Sequence, residues 1–153
     1  MSDYINDIDG LFDKAILRRD DPPAVRRFLD AGGVADSKDS WGGQPLLVCA
    51  AYWGRLKTAQ MLVEAGASLE LQNSIGSTAL IGAAASGQLA MVQYLLGAGA
   101  DRRAVDKRGK TAKDWAEAPP SWKTKTAAHA QIAALLAAPP PPAPAPAAAP
   151  PQP

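Results

Sequence analysis

The sequence predicts an all-α solenoid of about four helix-turn-helix units with short β-hairpin tips, followed by a disordered tail. Three observations predict it. The first is a period. Shifted by 33 residues, the chain lands on itself: Gly43 on Gly76, Gly76 on Gly109, Ala50-Ala51 on Ala83-Ala84, Gly54 on Gly87 and Thr78 on Thr111. A fixed period of this length marks stacked repeats, each one supersecondary unit. The second is helical spacing inside the period. Leu89, Val92, Leu95 and Leu96 fall on one helical face. The third is punctuation. Gly76 and Gly109 stand where a tight turn needs positive φ, and Thr78 and Thr111 follow where a side-chain oxygen caps a helix. No helix of such a unit can bury its apolar side alone, so the units must stack.

The first unit spans about residues 8 to 39. Ile8, Leu11, Phe12, Ala15 and Ile16 have helical spacing. Asp20-Asp21-Pro22-Pro23 ends that helix and opens the next, which carries Val25, Phe28 and Leu29 and stops at Gly32-Gly33. Lys14, Arg18, Arg19, Arg26 and Arg27 supply the polar outer face that a terminal repeat needs. Phe28 to Gly32 parallels Leu62 to Gly66 at a spacing of 34, so one residue is inserted around Asp36 to Gly42.

The second unit covers about 40 to 72 and the third 73 to 105. In the third, Leu80, Ala83 and Ala84 mark a short first helix ended by Gly87. Gly97 and Gly99 stop the second helix. The fourth unit, 106 to 137, keeps the phase from Asp106 to Ala116 and loses it after Glu117. The next double leucine is Leu135-Leu136, seven residues late, and the extra residues fit at Ala118 to Lys123. A final capping helix is expected over Ala127 to Ala137. Residues 1–138 therefore form the repeat domain. From Pro139 to Pro153 the chain is proline, alanine and one glutamine. Such a run favours polyproline II or disorder and reads as a spacer.

The stretch from Gly76 to Asp101 reads G-x-T-A-L-x-x-A-A-x-x-G-x-L-x-x-V-x-x-L-L-x-x-G-A-D. This pattern resembles the ankyrin repeat, over roughly residues 8 to 137. The family's T-P-L-H tetrapeptide reads Thr78-Ala79-Leu80-Ile81 here and Pro45-Leu46-Leu47-Val48 one unit earlier. The resemblance implies a turn, two antiparallel helices and a protruding tip per unit. It also implies a concave surface built from the tips and the exposed ends of the first helices. In this register that surface holds Trp41, Gln44, Tyr52 and Trp53 in the second unit. The third contributes Ser74, Ile75, Ser77, Ala85 and Ser86, and the fourth Lys107, Arg108 and Lys110. Trp and Tyr make strong interface anchors because they bury large area at little rotamer entropy. Trp115 falls at the phase of Gly82 and Cys49 and is expected to be buried. Trp122, in the inserted loop, has no counterpart in the repeat.

Composition narrows the function. The net charge is +1, with +4 over residues 101–138 and −3 over the first hundred. Nucleic-acid binding needs a broad basic stripe, and there is none. No run of about 18 apolar residues is present to span a membrane. The acidic N-terminus lacks the pattern of a secretory signal. One cysteine, Cys49, excludes an intrachain disulfide and fits a reducing, cytoplasmic setting. Cys49 reads as a small buried hydrophobe, and His129 as a surface or cap residue. With one Cys and one His no Cys/His zinc site can form. No catalytic constellation is legible and no cofactor is implied. The expectation is a non-enzymatic module, monomeric on its own, that binds a protein partner through the concave face. The alternatives are an inhibitor or immunity-type protein that blocks an enzyme or toxin, and a small enzyme with an unrecognised site.

Overall fold

A computed structural model of the chain describes residues 20–39 and 43–138. The helix expected over Ile8 to Ile16, Trp41, and the tail from 139 to 153 lie outside the described residues. Within them the chain forms seven helices: α1 Pro22–Asp30, α2 Leu46–Tyr52, α3 Leu56–Glu64, α4 Ala79–Ser86, α5 Leu89–Gly97, α6 Ala112–Glu117 and α7 Ala127–Ala137. The first helices of successive units, α2, α4 and α6, pack side by side. The second helices α1, α3, α5 and α7 form a second row behind them.

The two rows differ in burial because they differ in neighbours. Every residue of α4 is buried, since α2 and α6 flank it and α5 lies behind. Leu80 and Ile81 fill the space beside it, while Gly82 lies close to the Val48 carbonyl and Tyr52 of α2. The second-row helices bury a single face. Thr58, Ala59 and Leu62 do so on α3, Met91, Val92 and Leu95 on α5, and His129, Ile132 and Leu136 on α7. Val63 and Leu96 pack against the core from its edge.

Local chemistry sets the helix ends. Asp21 caps α1, accepting the Ala24 N–H at 3.2 Å, and Pro22 and Pro23 fill the first turn where no N–H partner is needed. Thr78 caps α4, and Gly87 closes it at φ +75°. Thr111 and Asp114 form a capping box on α6. α3 has no side-chain cap of its own. The preceding unit supplies one: the Asp20 carboxylate accepts the N–H groups of Lys57 and Thr58 and the Thr58 hydroxyl at 2.7 Å. Asp36 and Glu70 repeat this reach from unit to unit, accepting the N–H groups of Ser68 and Asp101.

The tips are tight turns, and the hairpins are reduced to little more than that. Among the described residues there is one isolated antiparallel bridge, Lys38 to Pro45, and no strand. Asn73 and Asp106 each accept, through Oδ1, the N–H four residues on, from Ser77 and Lys110. Asp39 does the same to Gln44, five residues on. That extra step is the one-residue insertion, and it falls between Asp39 and Gln44. Adjacent tips are joined by the Lys107 N–H, which donates to the Ile75 carbonyl at 3.1 Å. Gly76 makes this approach possible: a Cβ there would lie 2.7 Å from the Lys107 nitrogen, and its φ is +79°.

Candidate partner-binding surface

The tips and the C-terminal ends of α2 and α4 enclose a pocket of about 440 Å³. Its floor is Val48, Ile81, Gly82 and Ala85 from the packed first helices. Gln44, Asn73, Ser74, Ile75 and Ser77 form the tip side. The opposite wall is aromatic: Tyr52 and Trp53 from the end of α2, Trp115 from α6, and Pro120 and Trp122 from the loop after α6. The inserted residues thus close one side of what would otherwise be an open groove.

The aromatic rings are held before anything binds. Tyr52 and Trp53 meet edge to face, with centroids 5.5 Å apart. The Trp122 indole N–H donates to the Tyr52 hydroxyl at 3.3 Å. Trp53, Ile75 and Trp122 remain 46 %, 60 % and 74 % exposed, an apolar display larger than scattered surface residues require. On the tip side, the Asn73 amide donates to Gln44 Oε1 at 3.0 Å and fixes both side chains.

Trp115 is half-buried, where full burial was expected, and the reason is its polar edge. Its indole N–H donates to Asp106 Oδ2 at 2.7 Å, while Lys110 Nζ lies 4.4 Å and the Arg108 guanidinium 6.0 Å from the ring centre. Both distances fall in the range of cation–π attraction. Lys123 Nζ stands 5.7 Å from the Tyr52 ring. Burial alone would raise the Asp106 pKa. The hydrogen bonds from the Lys110 N–H, the Trp115 indole and the Arg108 N–H, with the Arg108 charge, outweigh it and hold the carboxyl below its ordinary value.

A folded-state pKa below the unfolded one stabilises the fold above the unfolded value and is lost as pH falls through the depressed one. Stability measured by denaturant should therefore drop as pH falls below about 3.8. Asp106→Asn should flatten that part of the acid limb. An acid limb unchanged by Asp106→Asn would remove the carboxylate from the account.

The concave positions read from the sequence divide in the structure. Gln44, Tyr52, Trp53, Ser74, Ile75, Ser77 and Ala85 line the pocket. Lys107, Arg108 and Lys110 stand on the next tip and do not line it. Ser77 and Ser86 are buried. Ser86 ends a helix covered on every side, and its hydroxyl has no hydrogen-bond partner. Trp122 and Pro120 could not be placed from the repeat, because the loop that carries them has no counterpart in other units.

Of the two roles expected for His129, surface or cap, the surface one is corrected, since the residue is 1 % exposed, while its side chain completes the capping box at the start of α7. The Thr126 N–H donates to its Nδ1 at 3.1 Å. A backbone N–H can only donate, so Nδ1 is the acceptor and the ring proton sits on Nε2. That nitrogen donates to the Ala85 carbonyl at 3.1 Å, tying α7 to the end of α4. Burial raises the Cys49 pKa to about 12, reinforced by Asp39 and opposed by Arg55, so the thiol stays protonated and unreactive. Among the described residues, no three His, Cys, Asp or Glu side chains are grouped to hold a metal ion. No helix there is long and apolar enough to cross a membrane.

A family model described as ankyrin repeats, three copies, matches residues 12–106. The match ends at the start of the fourth unit, before the inserted loop and the capping helix. No curated protein matches the chain.

Proposed function

The chain belongs to the ankyrin repeat family, whose members are generally protein–protein interaction modules, and from that premise we propose that it binds a partner protein through the concave pocket. The observation that carries this reading is the set of three exposed apolar side chains, Trp53, Ile75 and Trp122, at the mouth of one pocket. Tyr52 holds two of them from below, so little ordering cost remains for binding. The mechanism is surface complementarity, with no chemical step. The buried thiol of Cys49 fits a reducing, cytoplasmic setting.

Affinity capture with the tagged chain, followed by mass spectrometry, would supply the partner. Trp53→Ala should then cost about 2 kcal/mol or more in binding. The same change should alter folding stability by less than about 1 kcal/mol, because the ring is half solvent-exposed. Loss of binding and stability in parallel would make Trp53 a packing residue. Unchanged binding would place the interface elsewhere.

A further inference from the structure

Two of the aromatic rings that line the pocket carry cations against them. Lys110 is drawn to the face of Trp115 and Lys123 to that of Tyr52, at 4.4 and 5.7 Å, and both rings line the pocket. Cation–π attraction therefore keeps two ammonium groups against these lining rings before a partner arrives. Arg108 adds a third cation beside Trp115. Asp106, the carboxylate against that ring, is buried and occupied by the N–H groups of Arg108, Lys110 and Trp115. It balances part of the charge without lining the pocket. The walls supplied by Trp122 and Pro120 give the pocket a closed side, so its occupant must protrude; a flat patch would leave it empty.

Resting on the reading that this face binds a protein, we infer that the partner presents an acidic linear segment. A bulky apolar or aromatic side chain of that segment fills the space beside Trp53 and Trp122. Asp or Glu residues flanking it meet Lys110, Lys123 and Arg108. Opposite charges beside the pocket set the encounter rate and the orientation of the segment, and they weaken with salt.

The test is selection from a random linear-peptide library on the full chain, with parallel selections on Trp53→Ala and on the double variant Lys110→Glu, Lys123→Glu. Thermal melts first establish that both variants fold. The expected result is enrichment of peptides with an aromatic or large aliphatic residue flanked by Asp and Glu. A synthetic copy of the leading peptide should bind Trp53→Ala about tenfold or more weakly. The double variant should lose the preference for acidic flanks. Neutral or basic peptides that still depend on Trp53 would overturn the partner chemistry and leave the concave-face reading standing. Proline-rich uncharged peptides would also overturn it, and would point to the chain's own segment 139–153 as the occupant. Enriched peptides indifferent to Trp53→Ala, or no enrichment over the bare support, would overturn both.

Discussion

Leu95→Ala is expected to destabilise the protein by about 2–5 kcal/mol. Leu95 is fully buried on α5, beside Met91 and Val92. Removing its branched end loses the transfer free energy of the deleted atoms and leaves a cavity that the neighbours fill only in part. The loss is not confined to α5. That helix packs against α4 and α7, and in a repeat array each unit's stability depends on its neighbours. With about four units, loosening the third weakens the contacts on both sides of it. Denaturant titration and a thermal melt would measure the effect. Leu96→Ala is the control: Leu96 is half-buried at the edge of the core, so its loss should be clearly smaller. A Leu95→Ala melt within about a degree or two of the parent would contradict the assignment, since a loss of about 1 kcal/mol already moves the midpoint further.

His129→Ala should cost about 2–4 kcal/mol, a large effect for a residue outside the aliphatic core. The imidazole fills the space between α7 and α4 and makes hydrogen bonds at both ring nitrogens. Its removal leaves the Ala85 carbonyl and the Thr126 N–H without these partners and opens a cavity. Gly87 shows how close the ring lies: a Cβ on Gly87 would come within 2.7 Å of His129 Cε1. The same substitution should detach the capping helix before the rest of the array. Hydrogen exchange would report this as lost protection in α7 first, with α2 and α3 affected less. A His129→Ala protein as stable as the parent, with α7 still protected, would show that the ring only fills space that other groups can fill.

The period made much of the fold legible. The helix expected over Ala127 to Ala137 is α7. Gly87 ends α4 in the left-handed region and Thr78 and Thr111 cap their helices, as the spacing implied. These features depend on short stretches of chain, so residue types at fixed offsets suffice to read them. The one-residue insertion could be counted from the spacing of Phe28 and Leu62. Its location between Asp39 and Gln44 needed the hydrogen bonds of the tip.

By itself the sequence determined the repeat unit, the need for units to stack and the candidate face, because each unit must bury its apolar side against the next. Tertiary structure decided what that face is. Trp122 meets Tyr52 across 70 residues, and His129 meets Ala85 across 44. Neither distance is a multiple of the period, so the register could not align them. The inserted loop brings Trp122 and Pro120 to the lining of the pocket, and His129 of the capping helix that follows it is buried. Trp115 remained half-buried because its indole N–H found Asp106 and its ring found Lys110, contacts set by the packing of a tip against a helix. Local spacing encodes a repeating backbone. A pocket at the place where the repeat is broken depends on which distant side chains that break brings together.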